Sequence, residues 1–191
     1  MVKMKKQISA LDISKNVISQ VVKSGDMCID ATAGRGFDTA FLCELVGESG
    51  KVVSFDIQKS AIDSTAQLLA ERGLSDRAEL VLGSHTYMDK YASPESVSCI
   101  TFNFGWLPGG DHNVHTEKAS SLEAVEKSLS LLKEGGLLSM IIYYGRENGF
   151  EERDALLEYA KSIESSEFTV VTADFSNRTN CYPIPVFVYR G

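Results

Sequence analysis

Cysteine is scarce and scattered. Cys28, Cys43, Cys99 and Cys181 stand far apart with no C-x-x-C pair, which excludes a disulfide framework and a cysteine zinc cage and predicts reduced thiols in the core or at a site edge. Long apolar runs are also missing: none reaches the roughly 18 residues that span a bilayer, and the first 30 residues lack the pattern of a secretory leader. A cytoplasmic protein with no membrane partner is therefore expected. Repeats, low-complexity tracts and Pro/Gly/Ser-rich linkers are absent too. Positive charge is in deficit: 19 Lys plus Arg face 26 Asp plus Glu, a net charge of −7. The molecule as a whole is no electrostatic trap for nucleic acid. Bound RNA would need a local patch, for which Lys3, Lys5, Lys6 and Lys118 are available.

What remains is an ordinary globular composition. With 43% hydrophobic and 24% charged residues in a chain of 191, one packed domain over residues 1–191 is expected, including an N-terminal helical segment at 1–24. That leaves no length for an appended RNA-binding domain.

Val17, Ile18, Val21 and Val22 share a helical face, so a helix is predicted from about Ile8 to Lys23, ended by Gly25. Met27 to Ala31 reads as a buried parallel strand. Phe41, Leu42, Leu45 and Val46 mark a helix that stops at Gly47, and Val52 to Asp56 is the second strand. Ile62, Ala66 and Leu69 give the next helix, then Ala78 to Leu82 and Val97 to Phe104 are strands three and four. Ser120 and Glu123 form a capping-box pattern ahead of a helix carrying Leu122, Val125, Leu129 and Leu132, with Gly135-Gly136 as its stop. A fifth strand over Leu137 to Tyr144, a helix around Leu156 to Ile163, and two β-rich runs at Phe168 to Phe175 and Ile184 to Tyr189 complete the chain. The last two runs lie too close for a helical crossover and must pair as a hairpin. The expected fold is α/β: a Rossmann-like class I methyltransferase with a mostly parallel seven-stranded sheet and an antiparallel last strand.

In such a sheet the ligand lies beyond the carboxyl ends of the strands. The first loop reads Asp30-Ala31-Thr32-Ala33-Gly34-Arg35-Gly36. Gly34 and Gly36 remove side chains that would block close approach of a ligand, and the following helix start offers free N–H groups. The second strand ends at Asp56, followed by Ile57 and Gln58, where a carboxylate can accept from both hydroxyls of a ribose. Thr39 stands where a dinucleotide fingerprint wants a third glycine, and Asp30 and Asp38 would repel a pyrophosphate. They suit the cationic groups of S-adenosylmethionine, which is the expected cofactor. Ser84-His85, after the third strand, would line the adenine or the cofactor rim.

The fourth strand runs into Asn103-Phe104-Gly105-Trp106-Leu107-Pro108-Gly109-Gly110-Asp111-His112. Asn103 falls where amino-group methyltransferases carry the Asp or Asn of a (D/N)-P-P-(Y/F/W) motif; its carbonyl can take an amine hydrogen and aim the nitrogen lone pair along the sulfur–methyl axis. Trp106 offers a face on which a base can stack, worth roughly 1–3 kcal/mol, or a core indole. Gly105, Pro108, Gly109 and Gly110 imply a tightly turned loop. Asp111, His112 and His115 have some look of metal ligands, but methyl transfer requires none and no metal is expected. Asn177 and Asn180 are secondary candidates for contacts to a nucleotide, or turn formers.

The strings DATAGRGFDTAFL, FDIQ, GSH and NFGWLPGGDH, in this order between Asp30 and His112, resemble the YtqB-like family of small bacterial rRNA-methylase-like proteins. Arg35, Trp106 and His112 depart from the Asn, Tyr and Lys usual there. The resemblance implies N-methylation of the 5-aminomethyl group of (2-thio)uridine at the tRNA wobble position, with the anticodon loop as partner and 5-methylaminomethyl-(2-thio)uridine as product. It further implies that Asn103 orients the amine, that Asp111 or His85 takes the proton, and that Gly105, Trp106, Leu107, Pro108, Gly109, Gly110 and His112 face the substrate. The cofactor would be held by Asp30, Ala31, Gly34, Arg35, Gly36, Asp38, Thr39, Asp56, Ile57, Gln58, Ser84, His85 and Asn103. A homodimer could complete the RNA grip. The alternatives are an rRNA or small-molecule amine methyltransferase and a non-catalytic RNA-binding protein.

Overall fold

A computed structural model describes residues 7–105, 118–145, 149–178 and 181–191. Its elements run α1 (Ala10–Val21), β1 (Met27–Asp30), α2 (Phe37–Val46), β2 (Lys51–Asp56), α3 (Lys59–Arg72), β3 (Ala78–Leu82), β4 (Val97–Phe104), α4 (Lys118–Leu131), β5 (Leu132–Ile142), α5 (Gly149–Ser162), β6 (Phe168–Thr172) and β7 (Ile184–Arg190). The seven strands form one sheet in the order β3-β2-β1-β4-β5-β7-β6. Six strands are parallel. Only β7 is reversed, wedged between β5 and β6 and antiparallel to both. The expected terminal hairpin and fold class are therefore present.

Helices cover both faces. On one, Phe55, Phe102, Phe104 and Met140 pack under α4 and α5 through Val125, Leu131 and Leu156. On the other, Val52, Leu137 and Phe187 meet Ile18, Leu42, Val46 and Leu69 from α1, α2 and α3. Cys28, Cys43 and Cys99 belong to this second layer, and burial pushes the Cys28 thiol up to about 12 and the Cys43 thiol up to about 11. They act as small apolar side chains, while Cys181 is exposed.

Three local expectations change. The buried face of α1 adds Ala10 and Ser14 to the expected Ile18 and Val22, while Val17 and Val21 are partly buried against the core. Small residues let this helix approach the sheet closely enough for Ser14 Oγ to hydrogen-bond Ser139 Oγ at 2.8 Å. Its capping box is Ser9 with Asp12, closed in both directions. Ser120 is not a cap: α4 already starts at Lys118. Nor does Gly135-Gly136 stop that helix, because the chain switches to strand at Leu132, pairs with Val97, and bulges before Leu137 resumes pairing with Cys99. Among the described residues no helix is long and apolar enough to cross a membrane.

Candidate active site at the carboxyl ends of the strands

The strand order reverses between β1 and β4, and the loops leaving these strands cannot all turn to the same side. A cavity of about 780 Å³ opens there, walled by the loops after β1, β2, β3, β4 and β5 and by parts of α1 and α2. Backbone hydrogen bonds tie the walls together. Ala31 N–H donates to Thr101 O and Ala33 N–H to Phe55 O, both at 2.9 Å. Thr32 Oγ1 accepts from Asn103 N–H at 2.8 Å.

Ala31, Gly34, Arg35 and Asp38 from the first loop and helix start reach the cavity wall, as do Asp56, Ile57, Gln58, Ser84, His85, Asn103 and Gly105. The Asp56 carboxylate organises one end: Oδ2 accepts from Gly34 N–H at 3.0 Å and Oδ1 from Gln58 N–H at 2.9 Å. Each oxygen keeps a second lone pair for a hydroxyl. Beside it, Ile57 exposes an apolar face.

Asp30, Gly36 and Thr39, which the sequence pattern assigns to the cofactor, are not on the wall. Asp30 and Thr39 are fully buried beneath the loop. Thr39 Oγ1 donates to Asp30 Oδ2 at 2.6 Å and contacts Ser54 Oγ at 2.7 Å, while Thr32 N–H donates to Asp30 Oδ1 at 3.1 Å. Burial, with Asp38 nearby, raises the Asp30 carboxyl to about 7. Gly36 has φ +80°, and a Cβ there would lie 2.8 Å from Thr65 Cα. Its missing side chain admits α3 rather than a ligand.

Asn103, at the end of β4, presents the most informative chemistry. Its Nδ2 donates to Asp38 Oδ2 at 2.8 Å, and its Oδ1 is buried without a hydrogen-bond partner. A buried carbonyl oxygen left without a donor costs free energy, typically about 1–3 kcal/mol, so on a cavity wall it marks a place for a ligand N–H or O–H. His85 Nε2 is likewise buried without a well-formed hydrogen bond. Its ring packs edge-on against Phe102, and burial lowers its pKa against the pull of the Ala31 and Ser120 backbone acceptors. Burial thus favours the neutral imidazole, whose unprotonated nitrogen can accept a hydrogen bond.

Lys15, Thr32, Phe37 and Tyr143 also line the cavity, and sequence reasoning misses them. Burial raises the Tyr143 hydroxyl to about 12, so it stays a donor. A clue to it exists, since it directly follows β5 at the same carboxyl edge as Asn103. Asn177 lies exposed in a turn. Trp106, Leu107, Pro108, Gly109, Gly110, Asp111, His112, His115, Asn180 and the three N-terminal lysines fall outside the described residues.

These features fit S-adenosylmethionine: a carboxylate fixed by backbone N–H groups with lone pairs left for hydroxyls, an adjacent apolar residue, and an unpartnered carbonyl oxygen on one continuous cavity. Residues 52–189 match the family model described as "Putative rRNA methylase". An Arabidopsis thaliana chloroplast protein named tRNA (mnm(5)s(2)U34)-methyltransferase is 33% identical over 95% of this chain and 69% of its own length. The crystal structure of a Clostridium thermocellum rRNA-methylase-family protein superposes with TM-score 0.94 at 41% identity, covering 98% of this chain and 100% of the other. A Streptococcus mutans methyltransferase solved with S-adenosylhomocysteine gives TM-score 0.87 at 33% identity, with 98% and 100% coverage. The chain belongs to the family described as "Putative rRNA methylase" and is an S-adenosylmethionine-dependent methyltransferase of class I fold.

Proposed function

We propose that this enzyme methylates the primary amine of 5-aminomethyl-(2-thio)uridine at the wobble position of tRNA, yielding 5-methylaminomethyl-(2-thio)uridine and S-adenosylhomocysteine. The observation that carries the reading is the buried, unpartnered Oδ1 of Asn103 on the cavity wall. It is an acceptor in need of an N–H donor, as an alkylamine supplies and a carbon nucleophile does not. The Arabidopsis relative, named as a tRNA (mnm(5)s(2)U34)-methyltransferase, supports the same substrate class.

When bound, S-adenosylmethionine supplies a methyl group on a sulfonium and leaves as a neutral thioether. Asp56, with Gly34 and Gln58 behind it, would hold the ribose. Ile57 would cover the base, and Ser84 would lie along the rim. Asn103 Oδ1 accepts one amine hydrogen and fixes the direction of the nitrogen lone pair. The amine must arrive neutral, because an ammonium has no lone pair to give, and the new N–C bond leaves a secondary ammonium that sheds one proton. His85, whose burial disfavours the charged imidazole, would relay that proton onward to solvent rather than hold it; Asp111 is the other candidate. All 191 residues, α1 included, would act as one catalytic domain in the cytoplasm, where tRNA matures. The anticodon loop would be held by the segment after Gly105, the N-terminal lysines or a second copy of the chain.

The test is to incubate the protein and S-adenosylmethionine with tRNA from cells lacking the activity and to analyse the nucleosides. Conversion of 5-aminomethyl-type uridines to their methylaminomethyl forms is expected. Unchanged tRNA alongside methylated rRNA or a methylated small amine would replace this substrate with the alternative one.

A further inference from the structure

We propose that Asp38 is a positioning residue that selects the working orientation of the Asn103 amide, with Lys15 steadying it from α1. The proposal rests on the reading of Asn103 as the group that receives the substrate amine. A primary amide can be turned over by half a rotation with little change in shape, exchanging its NH₂ and its oxygen. In the wrong orientation Asn103 would present a donor to the amine and repel its hydrogens. A carboxylate has no hydrogen to offer, so the 2.8 Å contact between Asp38 Oδ2 and Asn103 Nδ2 is compatible with one orientation only. That orientation leaves Oδ1 as the atom without a partner.

Three elements converge to hold the carboxylate. Asp38 is the second residue of α2, where the helix start favours a negative side chain. Lys15 Nζ lies 3.4 Å from Asp38 Oδ1, and the same ammonium sits 5.1 Å from the Phe41 ring centroid. The Asp38 side chain is 19% exposed, so water competes weakly for the Asn103 contact. Asn103 is fixed from the other side by its backbone N–H bond to Thr32 Oγ1. The arrangement joins positions 65 residues apart in the chain. It gives Asp38 a task distinct from attraction of the cofactor's cationic groups.

The test compares D38N, N103D and the double variant D38N/N103D as purified full chains. Single-turnover methyl transfer to 5-aminomethyl-uridine tRNA is read beside S-adenosylmethionine affinity from calorimetry. D38N keeps its shape but can donate to Asn103 Oδ1, so transfer should slow by about tenfold, one hydrogen bond's worth, with cofactor affinity within about twofold. N103D sets two carboxylates together and should be slower still. The double variant exchanges donor and acceptor: the amide introduced at position 38 can donate to one oxygen of the carboxylate introduced at position 103 and leave the other oxygen for the amine. It should recover at least about tenfold over N103D alone. A side-chain amide NMR signal, assigned to Asn103 by its loss in N103D, should exchange slowly in wild type and faster in D38N without any substrate. Normal transfer in D38N, or absence of recovery in the double variant, overturns the proposal. Weakened cofactor binding at an unchanged transfer rate also overturns it and makes Asp38 a cofactor contact. Inactive wild type with the NMR difference present overturns the substrate reading while the Asp38 contact stands; equal exchange in both proteins overturns the contact itself.

Discussion

Thr39 Oγ1 donates a 2.6 Å hydrogen bond to Asp30 Oδ2 in a place where neither residue reaches solvent. The pair lies directly under the cavity-lining loop after β1, so the loop stands on a carboxyl group that burial raises from 3.8 to about 7. Between those values the folded protein holds a proton that the unfolded chain has released. The resulting stabilisation is complete below about pH 3.8 and is lost as pH rises through 7. Asn at this position removes the titration and can still accept from Thr32 while donating to Thr39. Wild type should therefore lose thermal stability relative to Asp30→Asn between about pH 4 and 7. The comparison must be a difference between the two proteins, because His85, whose pKa burial lowers, pulls the slope the other way. Parallel melting temperatures for the two across this range would refute the assignment.

Gly36 serves packing rather than ligand access. An alanine there would meet both a left-handed backbone angle and the main chain of Thr65 at 2.8 Å. The backbone cost is roughly 1–2 kcal/mol, and overpacking against main chain adds about 1–3 kcal/mol. Gly36→Ala should lower the unfolding free energy in urea by about 2–5 kcal/mol. A loss under about 1 kcal/mol would show that α3 can move away.

Asp56 joins two backbone N–H groups before any ligand arrives. Asp56→Ala removes both anchors and the ribose acceptor together, and charged hydrogen bonds of this kind contribute about 1.5–3 kcal/mol each. Calorimetry should show S-adenosylmethionine affinity falling by on the order of 100-fold or more, with Asp56→Asn in between. Unchanged affinity in the alanine variant would move the ribose elsewhere.

Asn103→Ala separates binding from chemistry. The side chain touches Asp38 through one atom and is expected to meet the amine through the other. Cofactor affinity should stay within about twofold while kcat falls by on the order of 100-fold, the scale of a misplaced reacting group. Normal turnover would remove Asn103 from the reaction.

How much of this is legible in the sequence varies with the range of the signal. β3 and β4 are read to the residue because turn-forming residues bracket apolar runs. The start of α4 is misread because Ser120 and Glu123 have the spacing of a capping box inside a helix that begins at Lys118. The strand before Gly135-Gly136 is hidden because Leu132 pairs with Val97 only through a bulge. At the site, Asp56 and Asn103 follow from topology, since strand ends at a switch point face the ligand. The separate fates of Asp30, Asp38 and Thr39 do not. Asp30 closes β1 beneath the loop, while a single step along α2 turns Thr39 down to the sheet and Asp38 across to β4, and the partner that completes the helix contacts comes from Ser54, Lys15 or Asn103, far away in sequence.

Net charge limits how this chain can hold RNA. At −7 it gains little from a long phosphate track, and each phosphate neutralised on a single strand adds about −0.7 to the slope of log Kobs against log salt. For an anticodon loop touching roughly two to four phosphates, that slope should lie between about −1.4 and −2.8. Binding of a tRNA anticodon stem-loop titrated by fluorescence anisotropy from low to physiological salt measures it directly. The isolated stem-loop should retain most of the affinity of whole tRNA. A slope steeper than about −5, or binding that requires the whole tRNA, would mean an extended basic surface and a larger footprint than these residues imply.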